Sequence, residues 1–312
     1  MATILCAMPE HTYRRMMTTE REAELRALGD VTLCLDAHAL TEEGYGALWE
    51  RADAAVTGWG TRAPTPAMLD RARRLRIISH TAGSVRWLPR YALEKRVVVT
   101  SAQAAIARTV AEFCLLNALT LLRRRSETLY GKTAGLVGFG HVGRLFRQHL
   151  AAFGCHVLVS EPALSEEEAA RSGVECVALP ALLQGSKVIS LHAPDIPATR
   201  GMIGAPELAL IPDGAVFLNS ARGRLVDTGA LTEALAAGRF SAALDVTEPE
   251  PLPPDHPLRS LPNVLLTPHV AGPTDDELPE LTRMALTDLA RFLRGEPPLH
   301  PISLEAYDVM SF

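Results

Sequence analysis

The sequence predicts an α/β protein made of two parallel-sheet units, and three features of its order predict it. Short runs rich in Val, Ile and Leu recur almost from end to end, longer amphipathic or Ala-rich stretches separate them, and one long Gly- and Pro-free helical stretch divides the series. Parallel strands need crossover connections, and helices supply them. At 312 residues the chain is long enough for two domains, each with its own core, so a two-domain protein with a cleft is expected.

Candidate strands in the first unit are residues 3–7, 31–35, 54–57, 76–80 and 97–100, with helical segments at 18–28 and 65–72. Residues 106–123 then form a long helix that links the units. A second series of strands runs through 133–139, 157–159, 188–191, 215–219, 242–246 and 264–267. Helices at 142–153, 165–172, 207–210 and 228–237 fill its gaps, with Asp227 placed to cap the last. A doubly wound sheet fits that order. The Pro-rich piece 248–257 is read as a rigid loop. An amphipathic stretch at 275–293 ends at Gly295 before Pro297-Pro298 and can carry the chain back to the first unit. The expected domains are therefore residues 1–100, residues 101–272, and a return helix and tail, 273–312, that completes the first.

Composition removes several classes of function. An apolar fraction of 47% and a charged fraction of 21% are those of a globular protein. Thirty-one basic against 36 acidic residues leave a formal charge of −5, which gives no broad attraction for nucleic acid. Arg123-Arg124-Arg125 is read as cationic complement to a helix C-terminus. The five cysteines are scattered without metal-ligand spacing, and no His cluster suggests a metal, so they are read as core residues in a reducing compartment. The N-terminus has no secretion pattern, and the longest apolar run is about half of the roughly 18 residues of a membrane span. The expectation is a cytoplasmic protein without a membrane partner.

Gly138-Phe139-Gly140-His141-Val142-Gly143 is a G-x-G-x-x-G placed directly after the apolar run 134–137 and opening a helix. The first two glycines allow a tight turn and close backbone approach to a pyrophosphate, and the third lets helix pack on strand. The helix N-terminus then holds the anion with its N–H groups. Glycine-rich turns also merely connect strands to helices, so the second signal matters: Glu161, at the end of the next strand, stands 18 residues after Gly143. That is near the spacing of a ribose ligand, and its charge would repel a 2′-phosphate. NAD is favoured over NADP.

Three more segments end strands at the same sheet edge. Asn219-Ser220-Ala221-Arg222-Gly223 presents Arg222, whose planar fork suits a carboxylate. Asp245 to Leu252 offers Glu248 and Glu250, and Thr267-Pro268-His269 offers an imidazole. A carboxylate bonded to imidazole favours the imidazolium, giving an acid for reduction and a base for oxidation. Anion binding and proton transfer beside a dinucleotide are what hydride exchange with a keto acid needs.

The chain resembles the D-isomer-specific 2-hydroxyacid dehydrogenases over nearly its whole length. The resemblance is carried by Val110-Ala111-Glu112, residues 131–143, Ser190 to Pro194 with Thr199 and Arg200, and residues 219–227, 244–252 and 267–272. It implies two Rossmann-like domains: a discontinuous, flavodoxin-like substrate domain and an NAD-binding Rossmann domain. It also implies Arg222 on the substrate carboxylate and keto oxygen, Glu250 as partner of His269, and His269 as acid/base. Asp245 would meet the nicotinamide carboxamide, and Ala221, His141 and Val142 would touch cofactor. The family's carboxylate-binding loop falls on 81–87, which assigns Gly83 and Ser84 to substrate; here that loop carries Arg86 and Trp87, which either reshape the pocket or are ordinary surface and packing residues.

The resemblance implies a homodimer, but only a few residues separate Arg125 from Gly131, where relatives insert a segment that contributes to dimer contacts. His192, at a strand end, either approaches the cofactor or is structural and is read as structural, whereas His80 faces either cleft or core. The expected activity is reduction of a small 2-keto acid by NADH, or the reverse, with domain closure excluding water. Its rivals are an enzyme of the same fold acting on formate or phosphite, where glutamine would replace Glu250, and an NAD(H)-sensing corepressor-like protein without turnover.

Overall fold

The computed structural model describes residues 1–311, which divide into two compact units. One comprises Met1–Ile106 and the stretch from Pro273 onward; the other is Ala107–Gly272.

The first unit has five parallel strands: β1 (Ala2–Ala7), β2 (Gly29–Cys34), β3 (Ala54–Thr57), β4 (Ile77–His80) and β5 (Val98–Ser101), in the order β2-β1-β3-β4-β5. That is the flavodoxin-like order. β3 and β4 are buried throughout, as strands covered by helices on both faces must be. One face packs on Tyr45, Trp49, Met68 and Leu88; the other packs on Leu25 and on Leu286 and Leu289 of the returning helix Leu278–Leu293. That helix is tied to the unit by Thr282 Oγ1 donating to the Met16 carbonyl at 3.0 Å and by Ser79 Oγ donating to the Ala285 carbonyl at 2.7 Å. It begins three residues later than the sequence pattern suggests, with Pro279 in its first turn, where the missing N–H has no helical partner to lose. β2 begins two residues earlier than expected. Its register pairs Ala2 with Gly29, where a Cβ would stand 2.2 Å from the Ala2 carbonyl oxygen, so only glycine can open the strand there.

The second unit has seven parallel strands: β6 (Thr133–Val137), β7 (His156–Ser160), β8 (Glu175–Cys176), β9 (Val188–Leu191), β10 (Val216–Asn219), β11 (Ser241–Leu244) and β12 (Val264–Leu266). Their order is β12-β11-β10-β9-β6-β7-β8. The winding reverses beside β6, so the crevice for a ligand opens at the carboxyl ends of β6 and β9. β9, β10 and β11 are wholly buried, and Leu182, Ile189, Phe217, Leu231 and Phe240 are among the residues that fill the core against them. β6 stops at Val137, two residues short of the expected end, because Gly138 turns at φ +97°.

The helix Gln103–Arg124 covers the residues expected to link the two units. Judged as a helix rather than as an unbroken apolar run, it is long and apolar enough to cross a bilayer by length and composition. Its Val110, Ala111, Cys114, Ala118, Leu121 and Leu122 are nevertheless buried within the protein, and core helices pass the same test.

Candidate active site

The glycine-rich turn is built as its spacing requires. At Gly138 the left-handed φ excludes an ordinary side chain, and a Cβ would lie 2.7 Å from the His192 carbonyl carbon and the Ala193 nitrogen. The turn therefore closes directly onto the end of β9. A Cβ on Gly143 would meet the Gly138 oxygen at 2.7 Å, so the helix His141–Ala151 also sits hard against the turn. Gly140 differs: a Cβ there meets nothing within 4 Å, and no side chain caps the helix it precedes. Uncapped helix N–H groups behind an open glycine are a cradle for a pyrophosphate. These residues fit the dinucleotide that the spacing implies.

Glu161 lies just past the end of β7 and folds back on this turn. Its Oε2 accepts the Phe139 N–H at 3.2 Å and its Oε1 accepts the Ala163 N–H at 3.1 Å. Each oxygen keeps a second lone pair, so ribose hydroxyls can still be bound.

Arg222, Glu250 and His269 follow β10, β11 and β12, three neighbouring strands that end on the same edge as β6. At about 4.8 Å between strands, β10 lies roughly 10 Å and β12 roughly 19 Å from β6 along that edge. His269 Nδ1 and Glu250 Oε1 are 2.6 Å apart, and Glu250 Oε2 accepts the Thr247 N–H at 3.2 Å. The other glutamate left open by the sequence, Glu248, is paired with Arg224 at 3.1 Å. Both members of the His269–Glu250 pair are partly exposed. Arg222 is half-buried, and its Nη1 donates to the Ala221 carbonyl at 2.6 Å. Desolvation lowers its pKa from the ordinary arginine value, with partial compensation by the charges of Asp195 and Glu250. A partly desolvated guanidinium is a seat for an anion.

Sequence reasoning missed the groups that hold these three. His269 has φ +56°, a left-handed conformation that costs an L-residue about 1–2 kcal/mol. Asp245 enforces it. Its carbonyl accepts the His269 N–H at 2.9 Å, while its carboxylate accepts from Thr267 Oγ1 at 2.6 Å and from the Val270 and Ala271 N–H groups at 2.9 Å each. Asp245 is only 3% exposed, so the residue assigned by resemblance to the nicotinamide carboxamide is also the brace of the histidine loop. Asn219 does the same for Arg222: its Oδ1 accepts the Ala221 N–H at 3.1 Å and its Nδ2 donates to the Arg222 carbonyl at 3.0 Å. An Asn at a strand end was the available signal, since its side chain commonly closes such a turn.

Two other histidines are desolvated. His80, left between cleft and core, is 1% exposed, lies 2.9 Å from Thr57 Oγ1 through Nδ1, and is pushed down to about 3 by burial. His192 is held down to about 3 for the same reason, with its ring against Phe146. Burial thus disfavours the charged imidazolium in both. Gly83 and Ser84 lie in the first unit, on the loop after β4. Trp87 beside them packs over the His80 ring at 5.3 Å, and the Arg86 guanidinium lies 4.7 Å from the centre of the Tyr307 ring. Among the described residues no cluster of three metal-ligating side chains occurs, and all five cysteines are unbridged.

Comparison with known proteins places this geometry in a family. Residues 104–271 match the D-isomer specific 2-hydroxyacid dehydrogenase, NAD binding domain. The chain is 33% identical to a D-3-phosphoglycerate dehydrogenase of Methanocaldococcus jannaschii over 87% of its own length and 55% of that protein's. It is 32% identical to a glyoxylate reductase of Korarchaeum cryptofilum, over 70% of its own length and 73% of the relative's. A solved phosphoglycerate oxidoreductase from Rhizobium etli superposes with a TM-score of 0.79 and 27% identity, over 96% of this chain and 98% of that one. The chain spans 35% to 55% of the length of the phosphoglycerate dehydrogenases first matched. With its glycine turn, its strand-end acid and its Arg, Glu and His on three adjoining strand ends, the chain belongs to the D-isomer specific 2-hydroxyacid dehydrogenase family.

Proposed function

We propose that this protein reduces a small 2-keto acid to the D-2-hydroxy acid with NADH, or runs the reverse. The observation that carries the reading is the 2.6 Å contact of His269 with Glu250 on strand ends adjoining the one that presents the desolvated Arg222. NADH supplies the hydride. Arg222 binds the carboxylate and keto oxygen, and the backbone N–H groups of Gly83 and Ser84 are proposed as a further hold on the carboxylate. Glu250 holds Nδ1 in a hydrogen bond and fixes the ring, so that His269 Nε2 is the nitrogen that gives a proton to the carbonyl oxygen. Gly138, Gly140, His141, Val142, Gly143, Glu161, Ala221 and Asp245 are proposed to line the cofactor.

NADH oxidation followed at 340 nm across glyoxylate, hydroxypyruvate, pyruvate and longer 2-keto acids tests the reading directly. Turnover of at least one acid is expected. Tight NADH binding without any turnover would transfer the assignment to the sensing, corepressor-like alternative; the intact Arg222, Glu250 and His269 set favours the enzyme. The free cysteines support a reducing, cytoplasmic setting.

Glu161 is proposed to select NAD. Glu161→Ala is expected to raise the KM for NADH and to narrow the preference over NADPH by about tenfold or more, the scale of losing a charged hydrogen bond. The Phe139 N–H loses its acceptor in the same variant, so a modest fall in melting temperature should accompany the change. An unaltered NADH-to-NADPH ratio of kcat/KM would remove Glu161 from cofactor choice.

A further inference from the structure

The loop after β4 is held by the far end of the chain. Ser84 Oγ donates to the Ser311 carbonyl at 2.5 Å. Arg86 spreads over the Tyr307 ring, and its Nη1 donates to the Tyr307 carbonyl at 3.4 Å. The Tyr307 hydroxyl donates to the Leu88 carbonyl at 2.6 Å from a side chain that is otherwise buried. Arg90 closes the series with a two-pronged pair to Asp308, Nε to Oδ1 at 2.8 Å and Nη2 to Oδ2 at 3.0 Å. Alternate residues 84, 86, 88 and 90 are thus fastened to one short helix, Leu304–Asp308, and the turn after it. From the other side Trp87 rests on the buried, uncharged His80.

The fastened loop carries backbone donors that the protein itself does not use. Among the described residues the backbone N–H groups of Gly83, Ser84 and Val85 meet no acceptor in the protein. Backbone donors bind an anion well only when they are fixed beforehand, since ordering them on binding costs affinity. We propose that the helix Leu304–Asp308 is a positioning device that sets affinity for the acid substrate by ordering residues 81–87, with Tyr307 and Asp308 as positioning residues that touch no substrate. The proposal rests on the assignment of Gly83 and Ser84 to the substrate carboxylate. It also gives Arg86 a role away from that carboxylate, as the strut between loop and Tyr307.

Steady-state kinetics on Tyr307→Ala, Tyr307→Phe and the surface variant Asp308→Ala test it. Tyr307→Ala is expected to raise the KM for the keto acid about tenfold, the equivalent of freeing one backbone residue, with kcat and the KM for NADH within about twofold. Tyr307→Phe keeps the ring beneath Arg86 and should recover most of the affinity. Asp308→Ala, at an exposed site that folding tolerates, should raise the same KM by a few-fold. An unchanged keto-acid KM in both alanine variants overturns the proposal, as does a loss shared equally by kcat and NADH binding. A wild-type chain that turns over no keto acid defeats the activity assigned above instead, and amide hydrogen exchange then decides the clamp. Faster exchange at residues 82–87 in Tyr307→Ala supports it, and unchanged exchange overturns it.

Discussion

His269→Ala is expected to lower kcat for keto-acid reduction by about 10²- to 10⁴-fold, the range of a well-placed general acid, while NADH binds as tightly as before. β12 ends at Leu266. Asp245 gathers the next residues through its carbonyl and both carboxylate oxygens, forcing His269 into a left-handed turn. That turn brings Nδ1 onto Glu250 and leaves Nε2 as the free nitrogen of the pair. Alanine suffers the same backbone strain as histidine, and the site is half exposed, so the melting temperature should hardly move. Steady-state kinetics with a parallel NADH fluorescence titration separate the two effects. Turnover within threefold of the native enzyme would show that His269 is not the proton donor.

Much of this architecture could be read from residue order, and the exceptions have physical reasons. Strands buried on both faces, such as 54–57 and 188–191, announce themselves as short, mostly apolar runs, and their observed bounds coincide with the expected ones. β8 is two exposed residues, Glu175 and Cys176, too short and polar to give any pattern. The helix Glu42–Arg51 contains Gly44 and Gly46, which read as breakers; a Cβ on Gly46 would lie 2.7 Å from Arg71 Nη2 and 3.3 Å from Met68 Cγ, so the small residue serves packing against the next helix. Tertiary contact overrides propensity at such a position.

The site shows the same division. Arg222, Glu250 and His269 could be named because chemistry restricts which residue types hold a carboxylate and move a proton. Preference for Glu250 over Glu248 came from resemblance alone, and its physical basis is tertiary: Arg224 pairs with Glu248 at 3.1 Å. Likewise nothing in the order of residues says that the carboxylate of Asp245 grips the loop of His269 or that Asn219 grips that of Arg222, because those bonds form only once β10, β11 and β12 lie side by side.

Arg222→Gln is the second large effect. The guanidinium is drawn out of water, which depresses its pKa, and the charges of Asp195 and Glu250 only partly restore its preference for the charged form. A substrate carboxylate brings the opposite charge into a place where water competes weakly, so the pair gains more than a surface ion pair would. Truncating one partner of such a desolvated, hydrogen-bonded pair costs about 2–5 kcal/mol, so kcat/KM for the keto acid should fall between about 30-fold and several thousand-fold. The KM for NADH should stay within about threefold, since the glycine turn and Glu161 are untouched. Arg222→Lys keeps the charge without the planar fork and should recover only part of the loss. A glutamine variant with native kcat/KM would mean that the substrate carboxylate is held elsewhere, and full recovery by lysine would mean that charge alone, without bidentate geometry, suffices.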